Sequence, residues 1–172
     1  KEIIRLIAKV SKYASDPFFG FYVGPDDKNS SMNIVHLSQA GLGMGDRDFY
    51  LEQNDRSNIL RREYVKLMET QFRNAGYTEE NARKAAETVM RIETELAKSH
   101  VTKEIRRIPE LNYHKFMVSE LNSEVAPFDW KYYFDQMGAK EIDSLNVSQI
   151  EPIRTSISII DNESIENLQQ YL

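Results

Sequence analysis

Cysteine is absent from this 172-residue sequence, which removes disulfides, thiolate nucleophiles and cysteine-ligated metals together. The same absence fits a reducing cytosol and a bacterial envelope equally, so it leaves the compartment open. No apolar run approaches the ~20 residues needed to span a bilayer, so no membrane segment is expected. Positive charge is scattered within a net charge of -5, and the short cluster Lys103, Arg106, Arg107 is too small to form a nucleic-acid footprint. Histidine occurs only at positions 36, 100 and 114. None of the three opens a His-Glu-x-x-His pattern, and no Gly-x-Ser-x-Gly or Walker sequence occurs. A targeting signal is also missing: Lys1 enters in mid-helix without methionine, basic n-region or apolar h-region, as expected of a fragment cut from a longer chain.

What is present is the composition of a soluble globular domain, 41% hydrophobic and 28% charged, long enough to bury roughly 70% of its unfolded surface. Residues 1–14 carry Ile3, Leu6, Ile7, Val10 and Tyr13 at helical spacing before Asp16-Pro17 stops the helix. Two aromatic and β-branched runs, Phe18 to Val23 and Met32 to Leu37, flank the turn-forming Gly24 to Ser31 and predict a β-hairpin over 18–37 with a long loop. His36 shares a strand face with Ile34 and Met32, which makes it a packing residue before a metal ligand. Three Asn-x-Ser sequons, at Asn29, Asn146 and Asn162, matter only in a eukaryotic secretory setting.

Gly41-Leu42-Gly43-Met44-Gly45-Asp46-Arg47-Asp48-Phe49-Tyr50 separates that hairpin from a chain that is helical almost throughout. The Gly-x-Gly-x-Gly spacing differs from a dinucleotide fingerprint, so a crossover over 38–50 is the stronger reading, with Asp46 or Asp48 capping a helix that starts near Phe49. Leu60, Tyr64, Leu67, Met68, Phe72 and Ala75 then mark one helix, ended by Gly76. Ala82, Ala85, Ala86, Val89, Ile92, Leu96 and Ala97 mark a second, capped by Thr78, and the short connection makes residues 57–99 an antiparallel pair. Further helices are expected within 117–172, including one with Trp130, Tyr133, Phe134 and Met137 on a stripe that Gly138 ends. Residues 144–160 suit helix or strand. The fold class is therefore mainly α, one domain over 1–172, with a long antiparallel helix pair and one β-hairpin near the N-terminus.

Glu93 sits on the apolar side of the second long helix and needs a partner there. The spacing predicts an ion pair with an arginine, Arg47, Arg106 or Arg107 being the candidates, and Arg47 the one able to fasten the crossover to the helix. A general-base role lacks a second acid, histidine or nucleophile at useful spacing. A metal role fails as well, because Glu93 and His100 are about 10 Å apart along a helix axis.

Taken in order, the motifs resemble the N-terminal, non-catalytic region of the neprilysin and endothelin-converting enzyme family of zinc endopeptidases. Val23-Gly24-Pro25-Asp26-Asp27-Lys28-Asn29-Ser30 is similar to that family's Val-Gly-x-Asp-x-Lys-Asn-Ser turn. The run Leu37 to Leu51, with Gly41, Leu42, Gly43, Asp46, Arg47, Asp48 and Tyr50, is similar to its Gln-x-Gly-Leu-Gly-Leu-Pro-x-Arg-Asp-Tyr-Tyr-Leu segment. Ile92-Glu93 with Leu96-Ala97, Arg106-Arg107-Ile108-Pro109 with Tyr113, and Phe128-Asp129-Trp130 complete the resemblance. Departures are Gly45 for proline, Ile108 for aspartate, and His114 and Phe116 for asparagine and methionine.

The resemblance implies a two-lobed parent: a catalytic lobe carrying His-Glu-x-x-His and zinc, and a helical lobe that closes over a peptide-admitting chamber. This chain would be part of the second lobe, with no catalytic or metal-binding residues of its own, no cofactor, and the catalytic domain of the same chain and the parent's peptide substrates as partners. Missing cysteines point to a bacterial member, the resemblance implies an extracytoplasmic place for the parent (periplasm, cell surface or secreted), and the family's helices tip 150–160 toward helix. Asn74-Ala75-Gly76-Tyr77 imitates a substrate-binding motif of the family but falls in a helix-to-helix turn, so no substrate role transfers to it. The alternative is a free-standing helical peptide-binding or scaffold module without catalysis. An independent hydrolase using Glu93 and a nearby histidine is a third reading.

Overall fold

The computed structural model describes residues 1–172. In chain order the elements are α1 (Glu2–Tyr13), β1 (Phe19–Asp26), β2 (Asn29–Gln39), α2 (Asp48–Leu51), α3 (Asp55–Asn74), α4 (Glu79–Ser99), α5 (Lys103–Arg106), a 3-10 turn (Pro109–Leu111), β3 (Lys115–Met117), α6 (Val118–Glu124), α7 (Trp130–Met137), β4 (Ser144–Val147), α8 (Ile150–Asn162) and α9 (Ile165–Tyr171). Helix accounts for 58% of the chain, so it is mainly α with a small sheet. These elements form two compact units, residues 1–41 with 100–161, and residues 42–99 with 162–172.

In the first unit the sheet order is β1-β2-β4-β3. β1 and β2 pair antiparallel from Phe19↔Gln39 to Asp26↔Asn29, with the register slipping after Pro25↔Asn33. The predicted long loop is therefore shorter: the strands run on to Asp26 and Asn29, and Asp26 holds the turn by accepting from the Lys28 N–H at 2.9 Å. Two strands were not expected. β4 lies parallel to β2 over Val35–Leu37 and antiparallel to β3 over Lys115–Met117, so the sheet is larger than one hairpin. Residues 150–160 are helical, as the family resemblance implies.

The core of this unit is aromatic. Phe19 meets Phe128, Trp130 and Tyr133 at ring-centroid distances of 5.8, 5.2 and 5.2 Å, edge-on or tilted as ring quadrupoles favour. Asp129 caps α7 by accepting from the Tyr132 N–H, and Gly138 ends it at φ +86°. Ile4, Ile7 and Ala8 bury the inner face of α1, while Tyr13, expected on that stripe, is 81% exposed at the helix end. Two buried polar side chains, Asn146 and His36, are paired across the sheet. The His114 N–H donates to Asn146 Oδ1 at 2.7 Å, which turns Asn146 Nδ2 toward His36 Nδ1 at 3.3 Å and the Asn112 carbonyl at 3.1 Å. His36 Nε2 lies 3.2 Å from the Pro25 carbonyl, an acceptor only, so that nitrogen carries the proton. His36 is thus a satisfied core histidine.

In the second unit α3 and α4 are the predicted antiparallel pair. Asn54 caps α3 by accepting from the Ser57 N–H, and Gly76, at φ +94°, makes the left-handed turn between the helices. Met68, Ala86 and Val89 are buried between Tyr64, Val65, Phe72, Met90 and Tyr171. Leu60 and Leu67, expected on the seam of α3, are 36% and 54% exposed. α9 packs on α4, and Arg91 of α4 donates to both oxygens of Glu163, in the turn ahead of α9, at 2.5 and 2.9 Å.

Candidate functional site

The densest buried polar cluster of the second unit surrounds Glu93, which is 4% exposed on α4. Alanines at 82, 85, 86 and 97 keep that helix face thin, and the segment after Leu42 lies against it. Glu93 Oε1 accepts from the Gly43 N–H at 3.2 Å and from the Tyr64 hydroxyl at 3.0 Å, and Oε2 accepts from the Tyr50 hydroxyl at 2.6 Å. Tyr50 oxygen in turn accepts from the Met44 N–H at 2.9 Å. One carboxylate therefore gathers α2, α3, α4 and the glycine-rich crossover.

The glycine at position 43 is required by closeness. A Cβ built there would stand 1.9 Å from the Tyr64 hydroxyl oxygen and 3.0 Å from Glu93 Oε1, so glycine lets the backbone N–H reach the carboxylate without displacing the Tyr64 hydroxyl. Gly41 and Gly45 serve a different need, adopting φ of +92° and +78° on either side.

The expected Arg47–Glu93 ion pair gives way to these neutral donors. Arg47 Nε donates to the Ala97 carbonyl at 3.3 Å, one turn beyond Glu93, and its Nη1 lies 3.5 Å from Asp48 Oδ1. Arg47 thus ties the crossover to α4 through a backbone carbonyl. Asp46, buried, accepts from the Asp48 N–H at 3.1 Å, the first N–H of α2, and so caps the helix from the crossover side as expected. Arg61 adds a clasp from α3, donating to the Phe49 carbonyl at 2.7 Å and the Glu52 carbonyl at 3.0 Å.

Electrostatically, burial pushes the Glu93 carboxyl above its ordinary value, against the three hydrogen bonds that favour the anion. Burial and then the Glu93 charge push the Tyr50 and Tyr64 phenols upward, and Tyr171 on α9 shifts the same way for the same two reasons. Phenols held neutral remain hydrogen-bond donors. Both carboxylate oxygens accept from protein donors, two on Oε1 and one on Oε2, so the arrangement fixes backbone and hydroxyls in place. Its chemistry is positional.

The other residues singled out by sequence lie in the first unit. Tyr113 donates its hydroxyl to Asp26 Oδ1 at 2.8 Å, and Lys115 reaches Asp26 Oδ2 at 3.2 Å. The Lys28 backbone bond, then the Tyr113 hydroxyl, hold the Asp26 carboxyl down at about 2. Trp130 is fully buried, with Nε1 donating to the Val125 carbonyl at 3.3 Å. Pro109 opens the 3-10 turn, whose flanks Asn112 holds by donating to the Ile105 and Ile108 carbonyls. Arg106 and Arg107 are exposed. Sequence reasoning missed Tyr64 as a ligand of Glu93 and Asp26 as a hub; a polar hydroxyl inside an apolar stripe was the available signal for Tyr64.

No group of three or more His, Asp or Glu side chains is placed to hold a metal, so these residues do not form a zinc site. No helix is long and apolar enough to cross a membrane.

Comparison with known proteins gives a consistent picture. The N-terminal profile described as peptidase family M13 matches residues 1–172. Endothelin-converting enzyme 1 of Cavia porcellus is 31% identical over 157 residues, 91% of this chain and 20% of that protein. Neprilysin-3 of Drosophila melanogaster is 33% identical over 126 residues, 73% of this chain and 16% of that protein. Among solved structures, the Mycobacterium tuberculosis zinc metalloprotease ZMP1 in its open state superposes with a TM-score of 0.91 at 24% identity, over 99% of this chain and 26% of that one. PEPO from Lactobacillus rhamnosis gives 0.73 at 11% identity. At such identities these two likenesses speak for the fold. The chain spans about a fifth of the length of the curated relatives it matches.

Proposed function

Since this chain belongs to peptidase family M13, of whose members it corresponds to the N-terminal part, we propose that it is the non-catalytic lobe of a zinc metalloendopeptidase, enclosing the chamber in which the parent enzyme cleaves peptides. The observation that carries this reading is coverage: the N-terminal family profile runs from the first residue to the last, while the chain spans only 20% of an endothelin-converting enzyme. Zinc would be held by the parent's catalytic domain, the partner of this lobe, since none of the present residues form a ligand set. The lobe's own residues supply rigidity, and Glu93 with Tyr50, Tyr64 and Gly43 is the fastening that keeps the crossover in place. The parent acts outside the cytoplasm, in a periplasm, at a cell surface or secreted.

Two measurements test the proposal together. The coding sequence beyond Leu172 should contain His-Glu-x-x-His followed by a downstream glutamate. The full-length enzyme should cleave short internally quenched peptides and leave a folded protein of the same cleavage sequence intact. A parent without that motif would turn the reading toward a free-standing peptide-binding module. A parent that digests folded proteins would remove the chamber from it.

A further inference from the structure

A cavity of about 450 Å³ opens beside the sheet of the first unit, lined by Met32, Asn33 and Val35 of β2, Lys115 of β3, and Glu141 and Asp143 from the segment entering β4. Its size falls within the range of peptide and small-ligand pockets. One wall is backbone. The Leu37 carbonyl accepts from the Ser148 N–H at 2.8 Å and so faces the β4 side. Peptide groups two residues apart on a strand point the same way, so those of Val35 and Asn33 also face that side. β4 begins pairing only at Val35↔Leu145. The Asn33 N–H and C=O therefore face the cavity with no strand across from them, at a point where the β1–β2 ladder still holds Asn33 in register with Pro25.

The charge around this edge is one-sided. Lys115, the one basic lining residue, is already paired with the buried Asp26 at 3.2 Å. Glu141 and Asp143 are exposed at the rim, and neither has a basic partner among the ion pairs. Met32, 61% exposed, and Val23, 59% exposed, give the mouth an apolar floor. An open strand edge, alternating apolar contact and two uncompensated carboxylates together describe a receptor for an extended chain with a cationic side chain.

We propose that this groove binds an extended peptide segment carrying a lysine or arginine, which adds alongside Asn33 of β2 and places its cation between Glu141 and Asp143. The proposal deepens the lobe reading by giving the lobe its own hold on peptides, but the site stands on residues of this unit and needs neither zinc nor cleavage.

The test is fluorescence anisotropy of the 172-residue chain with a labelled, end-blocked heptapeptide Thr-Val-Arg-Val-Thr-Val-Thr. Two companion probes have glutamate in place of arginine, or N-methyl groups on alternate amides. The arginine peptide should bind saturably and at least about tenfold tighter than the glutamate peptide, as expected for partly desolvated opposite charges. N-methylation should weaken it comparably, by removing the donors that meet the Asn33 carbonyl. Glu141→Gln with Asp143→Asn should abolish the preference for arginine. Equal binding of the arginine and glutamate peptides, indifference to N-methylation, or no saturable binding would each overturn the proposal. These three outcomes need only the wild-type chain, so they decide the matter even where the double variant is poorly folded. None of them bears on what lies beyond Leu172, so a failure here is separable from failure of the lobe reading.

Discussion

Gly43→Ala probes the Glu93 cluster at its tightest point. The added Cβ would lie 1.9 Å from the Tyr64 hydroxyl oxygen and 2.8 Å from Tyr64 Cζ. With the lower end of ordinary contact at 3.4 Å, the hydroxyl must retreat by about 1.5 Å. It then loses its 3.0 Å bond to Glu93 Oε1. Overpacking of this kind costs about 1–3 kcal/mol, and a hydrogen bond to a charged group contributes about 1.5–3 kcal/mol. Tyr64 is half-buried, so water recovers part of the second amount, and a total loss of about 2–4 kcal/mol is expected. Tyr64→Phe alone should cost about 1–2 kcal/mol by deleting the same bond. In the double variant that bond is lost once and the nearest colliding atom is gone. The combined cost should therefore fall short of the sum by about 1 kcal/mol or more. The assay is urea unfolding at neutral pH followed by far-UV ellipticity, which is dominated by helix and so reports α3 and α4. Additivity within about 0.5 kcal/mol, or a neutral Gly43→Ala, would refute the close approach of the crossover to α3 and α4.

Three further outcomes follow from the same geometry. The Glu93 carboxyl titrates above its unfolded value of 4.5, so the folded state binds more protons between the two values. Glu93 therefore stabilises fully below the unfolded value and loses that contribution as pH rises through the folded one; Glu93→Gln should flatten this decline in unfolding free energy measured against pH. Asp26 has the opposite sign: its carboxyl is held at about 2 against 3.8 unfolded. Its contribution is present above 3.8 and lost as pH falls toward 2, so Asp26→Asn should make the acid limb below pH 4 less steep in the same titration. Trp130→Ala, which empties the centre of the Phe19–Phe128–Tyr133 cluster, should cost about 3–5 kcal/mol in urea unfolding.

The parts of this fold that were legible in the sequence are those governed by local rules. The seam of small residues, the left-handed Gly76 and the terminating Gly138 place α3, α4 and α7 without reference to distant residues. Strands β3 and β4 were not legible, because three- and four-residue segments carry almost no periodic signal. The parallel pairing of β2 with β4 joins residues more than a hundred positions apart. Glu93 shows the limit inside a single site. Its apolar surroundings announced a buried carboxylate in need of partners, but a charge was the expected partner where two phenols and an amide serve. Helix spacing says which face Tyr64 occupies, and only the register between α3 and α4 puts its hydroxyl on Glu93 Oε1. Arg47, expected to pair with Glu93, instead donates to the Ala97 carbonyl, an acceptor that every residue possesses and no sequence pattern marks.

The central claim, a positional lobe whose chemistry lies elsewhere in the parent, is tested most directly on the 172-residue chain itself. Its zinc content is measured by mass spectrometry alongside hydrolysis of an internally quenched peptide in zinc-supplemented buffer. The account predicts zinc well below one equivalent and no hydrolysis above a buffer blank. One equivalent of zinc, with cleavage that a chelator abolishes, would contradict it.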